Sequence, residues 1–157
     1  MKEVLLSQLC GYWYFFDNEA VERIVPMADA PAPIQKAGRV WLPVPEGEPA
    51  ELCPLHLIFP WAAQQKERSD HFLVLLHAGR VLALPMRGEG RSCMASMDTL
   101  HVLPPAFTGL CRQLIPALLV NGDEVLMQLN LDELLHFMDK VTYLRKKKLL
   151  SRRQAQG

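Results

Sequence analysis

Hydrophobic and polar positions alternate along this chain in short runs, and the runs come in the same order twice. Val4 to Leu9 and Tyr12 to Phe16, separated by Cys10-Gly11, are rich in apolar and aromatic residues and predict a hairpin. Asp17 or Asn18 can then cap a segment in which Val21, Ile24 and Val25 share one helical face before Pro26 stops it, which predicts a short helix after the first hairpin, near residues 18–25. Prolines 31, 33, 43, 45 and 49 bracket a strand over Gly38-Arg-Val-Trp-Leu42. Because proline is confined to strand edges and ends, residues 40–45 are expected to form an exposed edge, with Trp41 either a core plug or part of a protein contact. Pro45-Glu-Gly-Glu-Pro49 reads as a solvent-exposed turn. An apolar strand pattern ending in Pro54-Leu-His-Leu-Ile-Phe59 closes the first half, and the polar stretch 62–70 is a connector compatible with helix.

The second half repeats the order. Phe72 to Leu84 reads as a strand pair around His77-Ala-Gly79, Leu103-Pro-Pro105 is the proline stretch, and Ile115 to Val120 with Glu124 to Leu129 forms a hairpin. Asn121-Gly122 fits a type I′ turn, which needs positive φ at both central residues. Asn130 can cap the last helix with Glu133 at the returning position of a capping box. Leu131, Leu134, Leu135, Met138 and Val141 recur at helical spacing as one apolar stripe. Past Leu144 the residues turn basic, with Arg145, Lys146, Lys147, Lys148, Arg152 and Arg153 in a tail spanning 145–157. A repeat of about sixty residues is too long for a solenoid unit and suits a pair of small barrels. The reading is therefore one domain over 3–144, with approximate halves 3–61 and 71–144.

Composition removes several alternatives. Seventeen basic and seventeen acidic residues cancel, so no global charge argues for nucleic acid or a membrane surface. No apolar stretch reaches the roughly twenty residues of a spanning helix, and the apolar N-terminus is broken by Ser7, Gln8 and Gly11, so it reads as a strand and not a signal peptide. Cys10, Cys53, Cys93 and Cys111 lack the short paired spacing of a zinc site, and Cys53-Pro-Leu-His56 has no second pair; the cysteines read as buried, reduced thiols of a cytosolic protein. No metal or other cofactor is expected.

In order of features the chain resembles the CheW-like domain of bacterial chemosensory systems. The motifs that carry this are Tyr14-Phe-Phe16, Val21-Glu-Arg-Ile24, Ala30-Pro-Ala-Pro33, Ile34-Gln-Lys-Ala-Gly38 and Pro54-Leu-His-Leu57 in the first half. Leu73 to Pro85 and Val120 to Leu135 carry it in the second, so the likeness covers about residues 3–140. It departs from the family at Arg23, where an acid is usual, and at His56, where aspartate is usual. The family's Arg-Gly pair has no counterpart.

The resemblance implies a mainly β fold of two SH3-like five-stranded β-barrel subdomains, with a short helix after the first hairpin and another at the C-terminus. It implies a cytoplasmic, non-catalytic adaptor that couples a chemoreceptor to a histidine kinase, in a divergent motility or pilus-linked pathway. The expected partner surface comprises Val21, Arg23, Ile24, Gly38 and Trp41. Arg145, Lys146, Lys147 and Lys148 are expected to contact an acidic partner or, weakly and peripherally, anionic lipid, with no membrane insertion. Two competitors stand beside this. An enzyme would draw on the five histidines, but none of the phosphate-loop, nucleophile-elbow or His-Glu-x-x-His motifs is present. A small barrel binding nucleic acid would use the consecutive aromatics from Tyr12 to Phe16, yet no basic residues interleave with them, so no nucleic acid is expected.

Overall fold

The computed structural model describes residues 1–58, 69–103 and 110–156. Strands β1 (Lys2–Leu9) and β2 (Tyr12–Asp17) form the expected hairpin, turning at Cys10 and Gly11 with φ of 51° and 83°. Paired positive φ at both loop residues is the type I′ geometry whose twist matches the strands. The same device recurs at Ala37-Gly38 and Ala78-Gly79.

The helix expected near 18–25 is not there. A single 3-10 turn, Asn18–Ala20, leads into strand β3 (Val21–Pro26), which pairs antiparallel with β7 (His71–His77). Six residues cannot sustain a helix alone, and β-branched Val21, Ile24 and Val25 suit a ladder once β7 supplies one. β4 (Ile34–Lys36), β5 (Arg39–Leu42) and β6 (Ala50–Leu52) follow. β5 is flanked on both sides, so the expected edge at 40–45 is displaced to β4, which has β5 as its one neighbour among the described residues. Pro45 to Pro49 is exposed, as the sequence indicates. Beyond β6 the apolar run is no strand: proline cannot extend a ladder, and Pro54 opens a single helical turn, α1 (Leu55–Ile58). The connector expected at 62–70 lies, but for its last two residues, outside the described residues.

β8 (Arg80–Ala95) is far longer than its predicted end at Leu84. Its first part pairs with β7 and its second with β1, and the register against β1 shifts between Leu6 and Gln8 where β8 holds Gly88 and Gly90 at positive φ. A Cβ on Gly90 would stand 2.6 Å from the Leu6 carbonyl oxygen, so only glycine fits this bulge. β9 (Leu100–Val102), α2 (Leu110–Leu114), β10 (Ala117–Asn121), β11 (Glu124–Gln128) and α3 (Leu131–Gln156) complete the fold. In the β10–β11 hairpin Asn121 pairs with Glu124, so the loop is Gly122-Asp123. Positive φ is confined to Gly122, the type II′ pattern rather than the expected I′.

Each sheet draws on both halves of the chain. One runs β3-β7-β8-β6-β5-β4 and the other β8-β1-β2-β11-β10-β9, joined through β8. The two parallel pairings are equivalent: β6 lies beside the second strand of the β7–β8 hairpin, and β11 beside the second strand of β1–β2. The doubled order in sequence thus becomes an exchange, the last strand of each half closing against the hairpin of the other.

Among the described residues each sheet carries its own small core. Val25, Leu42, Val44, Ala50, Phe72, Val74 and Ala83 fill one; Val4, Leu6, Phe15, Ala95, Leu119 and Leu126 fill the other. Strands about 4.8 Å apart bury such residues without a covering layer only by curling. Among the described residues the hydrogen bonding nevertheless stays open at β3, β4 and β9, so the sheet does not close into the two five-stranded barrels expected. The largest cluster lies between the sheets, where Leu5, Leu9, Tyr14 and Phe16 meet Leu73, Leu75 and Leu84 and take in Leu134, Leu135 and Met138 of α3. Alternation along β2 thus sends Phe15 into one core and Tyr14 and Phe16 into another.

Candidate functional site

Helix α3 is held against the β4–β6 end of the fold by charge. Glu51 of β6, 5% exposed, accepts hydrogen bonds from Arg39 of β5 and from Arg80 of β8, the latter at 2.7 Å. Both guanidiniums continue to Asp139 of α3, with nitrogen to oxygen distances of 3.0 to 3.2 Å. Burial pushes the Asp139 carboxyl up, but hydrogen bonds and charge from Arg80 and Arg39 outweigh it and hold the group below the usual carboxylate range. Burial likewise opposes charge on Arg80, and its bonds to Asp139 and Glu51 raise it above the ordinary value. The start of the helix is fixed as the sequence indicates: Asn130 Oδ1 accepts from the Glu133 backbone N–H at 3.2 Å. Its own N–H donates to Leu114 O at 2.8 Å in place of the returning Glu133 carboxylate. His77 Nε2 lies 2.7 Å from Oδ1 of Asp132 in the same first turn.

Of the predicted stripe, Leu134, Leu135 and Met138 are buried and Val141 is half-buried, while Thr142 takes the buried position of the next turn and donates to the Met138 carbonyl. The helix then runs unbroken to Gln156, so the basic residues from Arg145 onward stand on a regular surface. The β4–β5 turn sits on that surface: a Cβ on Gly38 would meet Lys146 Cγ at 3.1 Å and Thr142 O at 3.2 Å. A cleft of about 420 Å³ opens on one side of the turn, lined by Lys36, Arg39, Arg145, Lys148, Leu149 and Arg152 among others. A second, of about 350 Å³, opens on the other, lined by Ala37, Gly38, Lys146, Leu149, Leu150 and Arg153.

The five residues singled out from the sequence fall in two places. Val21, Arg23 and Ile24 lie on β3, whose one strand neighbour among the described residues is β7. Val21 and Ile24 are half-buried against the central core. Arg23 Nη1 donates to the Pro45 carbonyl at 2.5 Å, tying β3 to the loop after β5 across the open seam of the sheet. Beside it a shallow groove of about 240 Å³ is lined by Glu22, Arg23, Val44, Glu48, Leu76 and Val81, with Leu76 44% exposed. Gly38 and Trp41 lie at the far end of the hydrogen-bonded order, Gly38 seated on α3 and Trp41 paired between Ile34 and Glu51.

Cys10, Cys53 and Cys93 are free; burial raises the Cys10 thiol and, with the Glu51 charge and Cys10, raises Cys53 well above the ordinary range, which suits unreactive packing groups. Among the described residues no three His, Cys, Asp or Glu side chains converge as metal ligands, and no helix is long and apolar enough to cross a membrane.

No protein-family model and no curated protein matches the chain. Among solved structures it is similar to the scaffolding protein TtCheW from Thermoanaerobacter tengcongensis, with a TM-score of 0.64 at 13% sequence identity, covering 83% of this chain and 84% of that one. The likeness is one of fold: the chain has a CheW-like fold, mainly β, as the order of its motifs implies.

Proposed function

We propose that this protein is a cytoplasmic, non-catalytic adaptor of bacterial chemosensory signal transduction, coupling a receptor to a histidine kinase, in a divergent motility or pilus-linked system. The observation that carries the reading is the CheW-like fold over most of the chain, shared with a protein described as a scaffold. A partner surface on β3 supports it. The strand leaves one edge without a strand neighbour among the described residues, and exposed Leu76 lies in the groove beside Arg23. Strand edges and shallow apolar grooves are where small β domains take up peptides and helices. Val21, Arg23 and Ile24 form this surface, while Gly38 and Trp41, at the far end of the strand order, would serve as a separate contact. Where CheW-like domains carry an acid, Arg23 would choose a partner of altered charge.

The test is affinity capture with the intact protein followed by identification of what is retained. Recovery of a chemosensory histidine kinase or of a receptor's cytoplasmic hairpin is the expected result. Retention of neither, by protein verified as folded, would remove the reading.

A further inference from the structure

The two clefts flanking the β4–β5 turn have a lining in which no carboxylate takes part. The first holds five cations, Lys36, Arg39, Arg145, Lys148 and Arg152, and the second adds Lys146 and Arg153. Seven of the chain's seventeen basic residues therefore converge on one hairpin, leaving the remainder with ten against seventeen acids. Arg39 is engaged by Glu51 and Asp139; the other six have no ion-pair partner among the described residues. Favourable charge at a helix C-terminus accounts for Arg153 alone, since the other cations of α3 precede the last turn and Lys36 and Arg39 lie on β4 and β5.

We infer that these clefts form a docking site for an acidic polypeptide segment of a partner protein. The cations form a rim, and Leu149, half-exposed and shared by both clefts, gives an apolar floor for an aliphatic side chain between acidic ones. Arg145 and Arg152 lie seven residues apart on one face of α3, so their planar guanidiniums can hold two carboxylates of a segment lying along the helix. A single-stranded nucleic acid fits less well, because no aromatic side chain lines either cleft to stack a base. A bilayer fits less well too: exposed Leu144 and Leu149 lie about 140° apart around the helix, so the apolar residues do not form one insertable face. The inference does not rest on the chemosensory reading, because the cleft and the β3 surface have different residues and can fail separately.

The test uses the full chain and fluorescence anisotropy. The probe is a fluorescein-labelled peptide of glutamates with interspersed leucines; its glutamine counterpart, an oligothymidylate of equal charge, and phosphatidylserine–phosphatidylcholine vesicles are the comparators. The acidic peptide is expected to bind best and to lose about ten-fold in affinity when salt rises from about 50 to about 500 mM. Arg145→Gln with Arg152→Gln should weaken it about ten-fold, whereas removing two cations elsewhere, Arg112→Gln with Lys140→Gln, should leave it within about two-fold. Lys148→Gln, on the exposed rim, should give a smaller loss in the same direction. Failure of the peptide to bind, equal loss in both double variants, or tighter binding of the oligonucleotide or vesicles would overturn the proposal. So would an oligomer of the protein alone that the Arg145→Gln, Arg152→Gln variant disperses, since the occupant would then be a second copy.

Discussion

Gly38 and Thr142 stand 104 residues apart in the chain, yet a Cβ on Gly38 would lie 3.2 Å from the Thr142 carbonyl oxygen. The turn residue needs positive φ, here 76°, and it needs the absence of a side chain. Gly38→Ala should therefore cost about 1–2 kcal/mol, combining left-handed strain with a forced shift of the hairpin from α3. Urea denaturation checks this. A control at Gly79, which has the same positive φ but open space where its Cβ would stand, should cost only the strain. Equal losses at both glycines would mean that the α3 contact carries no energy.

Glu51 is the centre of the ionic network and its most buried member. Glu51→Gln keeps the shape but leaves two guanidiniums facing a neutral amide, and should destabilise by about 2–3 kcal/mol, toward the lower side for breaking a buried pair because both arginines are partly exposed. Asp139→Asn, at a half-exposed position, should cost less than about 1 kcal/mol. If the order is reversed, the helix and not β6 organises the network.

The same network sets a pH dependence. The folded Asp139 carboxyl titrates below its ordinary value, and so does exposed Asp70, chiefly through His71 and then the Gly88 N–H, which it accepts at 2.7 Å beside the β8 bulge. A carboxylate depressed in the folded state contributes stability that is present above its unfolded pKa and lost as pH falls through the folded one. Melting temperature should thus hold from neutrality to about pH 5 and decline below about pH 4. Asp139→Asn should flatten the decline; an unchanged profile would remove Asp139 from its causes.

Truncation after Leu144 removes the basic turns but spares Leu134, Leu135, Met138 and Thr142, which make the core contacts. Melting temperature should fall by only a few degrees, the shift for losing about 1 kcal/mol in a chain of this size. Amide exchange should quicken in β4 and β5, whose turn rests on Lys146. Global unfolding would make the last turns structural.

What could be read in the sequence was local. The Cys10-Gly11 and Ala78-Gly79 turns, the Asn130 cap and the Leu134, Leu135, Met138 face depend on neighbours within a few residues, and pattern alone carries them. Val21 to Val25 was ambiguous because so short a segment fits helical and strand periods equally, and β7, which decides it, is some fifty residues away. The second part of β8 hides behind Pro85, Gly88 and Gly90, which signal loop until the Leu6 carbonyl shows what Gly90 avoids. The Arg39, Glu51, Arg80 and Asp139 network joins four elements and has no local signature. The basic run was visible, but not the hairpin lying across it: nothing near Gly38 in sequence points to Lys146.

The central claim is that this CheW-like fold couples signalling proteins, and direct titration tests it best. Binding of the regulatory domain of a chemosensory histidine kinase, and of a receptor's cytoplasmic hairpin, should be measured for the intact protein and for Arg23→Glu. The account predicts saturable binding to at least one, weakened about ten-fold or more by Arg23→Glu while that variant loses no more than about 1 kcal/mol of stability with its bond to Pro45. Folded wild-type protein that binds neither, or Arg23→Glu losing affinity only in proportion to its loss of fold, would contradict it.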